Sequence, residues 1–223
     1  MNLMHRVAVS LGLGIVLGTA AVALPTFAQS LPSIAQVDAE DFYRQGRNQL
    51  EQEQYAAAIA SFDQAIRLNP SYTEAYLLRG NAFVAVGNDA AAIEDYSQVI
   101  QLAPDLPEAY LYRGKAYSRM GDAPLALVDF DQVIKLDPKN DEAYVQRGIV
   151  LTATGQPQAA VEDFSQAIDL NSRNGEAYQN RCSLYYTLGN RQAALADCDE
   201  AVALLPESAL AHYNRGFVLS SMG

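Results

Sequence analysis

Hydrophobic positions along this chain fall into pairs of helical stripes separated by short polar turns. In Glu74–Pro104, EAYLLRGNAFVAVGNDAAAIEDYSQVIQLAP, residues Tyr76, Gly80 and Phe83 lie one turn apart on one stripe, and Ala92, Tyr96 and Val99 on a second. That spacing of three and four predicts two amphipathic helices. Between them stands VGND, where Gly87 suits the left-handed residue that closes a helix and Asn88 or Asp89 suits the N-cap of the next. Gly121-Asp122, Gly155-Gln156 and Gly189-Asn190 repeat the turn. Pro124 and Pro157 fall in the first turn of a second helix, where a missing N–H is harmless, and Pro70, Pro104, Pro138 and Pro206 stop that helix. The predicted unit is a helix hairpin.

The unit recurs at a shift of 34 residues, at Glu108–Pro138, Glu142–Ser172 and Glu176–Pro206. Internal periodicity of this length marks stacked repeats. Tyr76, Tyr110, Tyr144 and Tyr178 form one column, with His212 in the same slot. Gly46, Gly80, Gly114, Gly148 and Gly216 form a second, interrupted by Cys182. Small Ala58, Ala92, Ala126, Ala160 and Ala194 form a third, and Phe62, Tyr96, Phe130, Phe164 and then Cys198 a fourth. Glycine and ring stand at similar distances from the turn, so they face each other across the hairpin, where a missing Cβ lets the ring approach the backbone.

The motif A-Y-x-x-R-G-x-A-[FYL], followed by G-[ND], A-[AILV], [FY] and P, resembles the tetratricopeptide repeat over about Ala39–Gly223. The resemblance implies an all-α fold, a right-handed superhelical solenoid of helix-turn-helix repeats. Its repeats would span about 39–72, 73–106, 107–140, 141–174 and 175–208, with a partial copy at 209–223. It also implies a concave groove, lined by the first helices, that receives peptides or partner proteins; fold analogy does not name the ligand. Departures from the motif are Glu53 where a turn glycine belongs, Ser172 where a proline belongs, and Cys182 with Cys198.

Ahead of the repeats, residues 1–28 read as an export signal: Arg6 gives a positive start, Val7–Leu24 is uncharged, and Thr26-Phe27-Ala28 offers small residues before a cleavage at Gln29. An uncleaved membrane anchor is the alternative, because the apolar run just reaches spanning length, although Gly12, Gly14, Gly18 and Pro25 favour a cleaved leader. Residues 29–38 read as a flexible spacer. The expected location is therefore the periplasm or an equivalent lumen. At the other end Phe217, Val218, Leu219 and Met222 make the last partial copy apolar, which suits a chain cut short or an end that meets a partner or a second copy.

Charge narrows the partners. Lys and Arg number 15 against 26 Asp and Glu, for a net charge of −11. That balance repels nucleic acid and anionic lipid and favours neutral or basic partners. Arginine recurs immediately before the glycine, at Arg79, Arg113, Arg147 and Arg181, and aspartate sixteen residues later, at Asp95, Asp129, Asp163 and Asp197. In the first copy both change together, to Gln45 and Ser61. Joint change points to structural ion pairs, across the hairpin or to the neighbouring copy, rather than to a basic column for a substrate anion. Cys182 and Cys198 replace the glycine and ring of one copy, either as a volume swap or as a disulfide worth about 3 kcal/mol in the entropy model. They have no nearby histidine for a metal, and no phosphate loop, nucleophile elbow or metal-binding histidine pair occurs. The expectation is a non-enzyme without cofactor or metal.

What remains is the groove. Its expected walls are Arg47, Asn81, Lys115 and Ile149 in one column and Tyr43, Leu77, Leu111 and Val145 one turn earlier. Arg47, Asn81 and Lys115, beside Leu77 and Leu111, suit an extended segment bearing an acidic or C-terminal carboxylate. They are similar in part to the carboxylate clamp of co-chaperone repeats, which pairs a Lys with an Asn one turn later, whereas Tyr43 precedes Arg47 here. The expected function is a scaffold that binds a peptide or partner protein along this groove, in assembly or quality control of exported proteins. The alternative is a structural module that dimerises through its apolar C-terminal helix.

Overall fold

A computed structural model of the chain describes residues 38–223. The expected leader, and the spacer up to residue 37, lie outside the described residues. Within them the chain forms α1 (Ala39–Glu51), α2 (Tyr55–Leu68), α3 (Thr73–Ala85), α4 (Asp89–Leu102), α5 (Pro107–Arg119), α6 (Ala123–Leu136), α7 (Asp141–Ala153), α8 (Pro157–Leu170), α9 (Gly175–Thr187), α10 (Arg191–Leu204) and α11 (Ala209–Ser220), and no strand. The fold is an all-α solenoid of helix hairpins. No helix among the described residues is long and apolar enough to cross a membrane.

Local chemistry sets the helix ends. Gly87, with φ of 78°, takes the left-handed conformation, and the N–H of Asn88 returns to the Phe83 carbonyl at 2.8 Å. The Asn88 side chain then accepts from the N–H of Ala91, capping α4. In the first hairpin Glu53 adopts the same left-handed backbone, φ 57°, at the cost a side chain carries there. Glu53→Gly should therefore stabilise the fold by about 1 kcal/mol, read as a higher midpoint of chemical unfolding. At the far end of the second helices the stop comes one residue before the proline position. Asn69, Asp137 and Asn171 each accept from the N–H two residues on, at 3.2, 3.1 and 3.1 Å. The turn therefore forms at Ser172 as it does at Pro70 and Pro138.

The seam between the helices of a hairpin is built from ring against glycine. A Cβ placed on Gly46, Gly80, Gly114 or Gly148 would stand 2.6, 2.6, 2.8 or 2.8 Å from a ring carbon of Phe62, Tyr96, Phe130 or Phe164. Those rings are fully buried, flanked by Ala58, Ala92, Ala126 and Ala160. Three positions of the tyrosine column tie their first helix to the turn before it: Tyr110 and Tyr144 donate to the carbonyls of Pro104 and Pro138, and the His212 ring meets that of Pro206 at 2.9 Å.

Stacking then bends the array. First helices also touch the next first helix (α1 with α3, α5 with α7, α7 with α9, α9 with α11), whereas no comparable contact joins successive second helices. Elements that touch on one side and separate on the other curve toward the touching side, so the first helices line the inner wall.

Candidate functional site

Between successive first helices the inner wall opens into a row of clefts. One of about 260 Å³ is lined by Asn81, Val84, Tyr96, Tyr112, Lys115 and Arg119. Farther along, a cleft of about 270 Å³ holds Ser118, Ile149 and Thr154, and one of about 420 Å³ holds Ile149, Thr152, Asn180 and Ser183. The last, about 240 Å³, lies between α9 and α11 and is walled by Tyr186, Tyr213, Asn214 and Phe217. Its rings pack on one another, Tyr186 at 4.9 Å from Phe217 and Tyr213 stacked on Phe217 at 6.1 Å.

The cleft at Lys115 is organised as a donor site within an acidic chain. Tyr96 donates its hydroxyl to the Asn81 side-chain carbonyl at 2.7 Å, which leaves the Asn81 amide as a donor. Burial pushes the Tyr96 phenol well above its ordinary range, against the pull of Arg119, so it remains a donor at any physiological pH. Lys115 and Arg119 stand one turn apart on α5. Lys115 Nζ reaches Glu142 at 2.7 Å, and Arg119 reaches Asp89 through Nε at 2.9 Å and Nη2 at 2.5 Å. The Lys115–Glu142 pair is open to solvent, and such a pair is worth little, so an incoming carboxylate can exchange for Glu142 at small cost.

The expected groove residues separate into wall and core. Asn81 and Lys115 share the donor cleft, and Ile149 lines two of the later ones. Leu111 and Val145 do not face a ligand: at 4% and 1% exposure they belong to the buried clusters around Phe130 and Phe164. Tyr43 is half-buried against Tyr72 and Phe62, with burial raising its phenol pKa, and Leu77 is half-buried too. Arg47 lies exposed over the Tyr43 ring, 5.9 Å from its centre, and does not line the cleft of Asn81 and Lys115; Arg119 supplies the second cation there. Wall residues missed in the sequence include Arg119 and also Tyr112, Asn180 and Asn214, which stand one position after the column that holds the core residues Leu111 and Val145. Their column reads Arg44, Leu78, Tyr112, Gln146, Asn180, Asn214 and is polar from Gln146 on, whereas the column before it is apolar through Leu77, Leu111 and Val145 and turns polar only at Gln179.

Behind the wall runs a charged ladder. Arg79, Arg113, Arg147 and Arg181 each grip their own hairpin's Asp95, Asp129, Asp163 or Asp197 through Nε and Nη2, at 2.6–2.9 Å. Their Nη1 turns back to the preceding hairpin, to Asp63, Ser97, Asp131 and Ser165 in order, at 2.5, 3.0, 2.6 and 2.8 Å. One guanidinium thus serves two hairpins. Burial raises the Asp95 carboxyl, against the opposing pull of the Arg79 guanidinium. In the first hairpin Ser61 instead donates to Gln49 at 2.7 Å. Cys182 and Cys198 form a disulfide across the α9–α10 hairpin, with Cα atoms 5.3 Å apart, where the other hairpins place glycine and ring. No group of metal-ligating side chains occurs among the described residues.

Family models described as tetratricopeptide repeat match residues 43–107, 107–140 and 130–162, which together run unbroken over more than half of the chain. The chain belongs to the tetratricopeptide repeat family. Its fold is similar to that of MamA, with a TM-score of 0.67 at 22% identity over 73% of this chain and 95% of that one. It is also similar to YrrB, a tetratricopeptide repeat protein with an unusual peptide-binding site, at 0.66 and 22% over 80% and 92%. A third likeness is TTC0263, a tetratricopeptide repeat protein of Thermus thermophilus, at 0.63 and 22% over 82% and 99%. No curated protein matches the sequence.

Proposed function

We propose that this tetratricopeptide repeat protein is a non-enzymatic scaffold that holds an extended segment of a partner protein along its inner wall. The observation that carries the reading is the convergence of the Asn81 amide, Lys115 and Arg119 on one cleft in a chain of net charge −11. Donors placed this way suit an acidic side chain or a C-terminal carboxylate, while the later clefts offer apolar and amide surface to the residues that follow. YrrB, with a peptide-binding site on a similar fold, supports binding of this class. A buried disulfide and the apolar stretch Val7–Leu24 support export to an oxidising compartment, where the partners would be other exported proteins in assembly or quality control.

The test is fluorescence polarisation with peptides that differ only in a free or amidated C-terminus. Binding of the free acid should weaken by about tenfold or more on Lys115→Glu with Arg119→Glu, since each lost charge-assisted bond is worth about 1.5–3 kcal/mol. Equal binding by the variant would remove the cleft from the reading. Self-association is the second reading, favoured by the exposed Tyr213, Phe217, Leu219 and Met222.

A further inference from the structure

Charge on the outer face of the array alternates with a period of two hairpins. The residues that receive the arginines' backward bond read Asp63, Ser97, Asp131, Ser165 and Asp199 on successive second helices. Three residues earlier on the same helices the column reads Ala60, Glu94, Val128, Glu162 and Ala196. The ladder does not require this alternation, because serine accepts the backward bond as aspartate does. Carboxylates therefore gather in two places, Asp63 with Glu94 and Asp131 with Glu162, and the space between α4 and α6 carries Ser97 and Val128 instead.

The second of these places is a formed cleft. Where α6 and α8 separate over α7, about 250 Å³ opens above Leu127 and Leu151, and three carboxylates, Asp131, Glu162 and Asp163, share one cation there, Arg147. The Asp131 side chain stays 62% exposed while it holds Arg147, and exposed Glu162 enters no ion pair among the described residues. Two hairpins earlier Asp63 and Asp95 grip Arg79. The Asp95 carboxyl is raised first by burial, against Arg79, and then by the nearby charges of Asp63 and Glu94. On α6, between the two acidic places, Leu125 and Val128 stand one turn apart and are 43% and 63% exposed. Hairpins stack end to end in a solenoid, so the outer side of a middle hairpin is not used by its neighbours.

We propose that the outer face of α4, α6 and α8 docks a basic amphipathic helix of another protein, with an apolar residue on Leu125 and Val128 and a cation on either side at Glu94 and Glu162. Charge complementarity selects this occupant: each acidic place holds three carboxylates against one arginine, and a lysine or arginine stem can lie on Leu127 and Leu151 with its head at Glu162 and Asp131. The spacing fits a helix. At about 10 Å per hairpin Glu94 and Glu162 are roughly 20 Å apart, which a helix covers in about 14 residues, with the apolar residue midway. Residues 1–37 hold one Lys or Arg, Arg6, and do not carry the pattern. A second copy of this chain, at a net charge of −11, is repelled. The surface lies on second helices and asks for cations, whereas the inner-wall cleft asks for a carboxylate.

The probe is a hydrocarbon-bridged helical peptide of about 15 residues on an alanine and glutamine background, with arginine at both ends and leucine at the middle. Calorimetry with the full chain should show one site per chain. Glu94→Gln with Glu162→Gln should weaken binding by about tenfold, and Val128→Gln by about fivefold. All three side chains are exposed, so circular dichroism of the variants should match that of the parent. Glu108→Gln with Glu176→Gln, which removes the same charge from exposed positions on α5 and α9, should leave binding unchanged, as should Lys115→Glu. Equal weakening by the Glu108 and Glu176 pair would mean attraction to net charge alone and would overturn the proposal. So would binding indifferent to Val128→Gln, or a concentration-dependent dimer of the chain that competes with the peptide.

Discussion

Phe130→Ala should lower the stability of the array by about 3–5 kcal/mol, the largest single effect expected from an apolar truncation here. The ring has no exposure, sits in the third hairpin, and presses on Gly114, where even a methyl group would stand 2.8 Å from its edge. Truncation leaves a ring-sized void between two helices whose backbones are held apart by the neighbouring hairpins, so collapse is limited and the cavity penalty is large. In a solenoid each hairpin is stabilised by its two neighbours, so loss at the third hairpin weakens contacts to α4 and to α7 together. Phe62→Ala removes a similar ring from the first hairpin, which has a neighbour on one side among the described residues. Chemical unfolding should therefore show a lower midpoint for both, and a loss of cooperativity for Phe130→Ala alone. A Phe130→Ala variant that unfolds with the wild-type midpoint would mean that ring and glycine do not hold the hairpin together.

The same contacts explain how much is legible in the sequence. Columns repeated every 34 residues expose the helix hairpin, its Gly87-type turn and the ring-glycine seam, because each is enforced by one residue type at one position. The aspartates at Asp95, Asp129, Asp163 and Asp197 are visible for the same reason. The backward partners of the arginines stay hidden because Asp63, Ser97, Asp131 and Ser165 alternate in residue type while all accept from Nη1. At Leu111 and Val145 the sequence places the inner wall one position too early. Helical spacing alone does not separate an apolar residue facing the next hairpin from one facing a ligand; that depends on how closely α5 approaches its neighbours. Arg119 carries no sequence signal because it opens the turn region, and only the stacking of α5 against α4 brings it to Asp89 and the donor cleft.

Asp129→Ala should cost about 3 kcal/mol, and Asp163→Ala distinctly less, about 1–2 kcal/mol. Both aspartates are buried and both accept two bonds from an arginine of their own hairpin. What differs is what the arginine keeps. Arg147 retains the carboxylate of Asp131 at 2.6 Å, whereas Arg113 retains only the Ser97 hydroxyl at 3.0 Å. The Arg113 guanidinium lies between the rings of Tyr110 and Tyr117, 5.8 and 5.9 Å from their centres, and is mostly shielded from water. Without Asp129 it is a largely desolvated charge with no counter-ion, the condition under which breaking a pair is expensive even where forming it gained little. Replacing both partners, Arg113→Met with Asp129→Leu, should recover most of the loss, because no buried charge is then left without a counter-ion. Urea unfolding of the two single variants and the double decides the matter. Equal costs at Asp129 and Asp163 would show that the backward bond to the preceding hairpin carries no weight, and a double variant no better than Asp129→Ala would show that the pair itself stabilises the array.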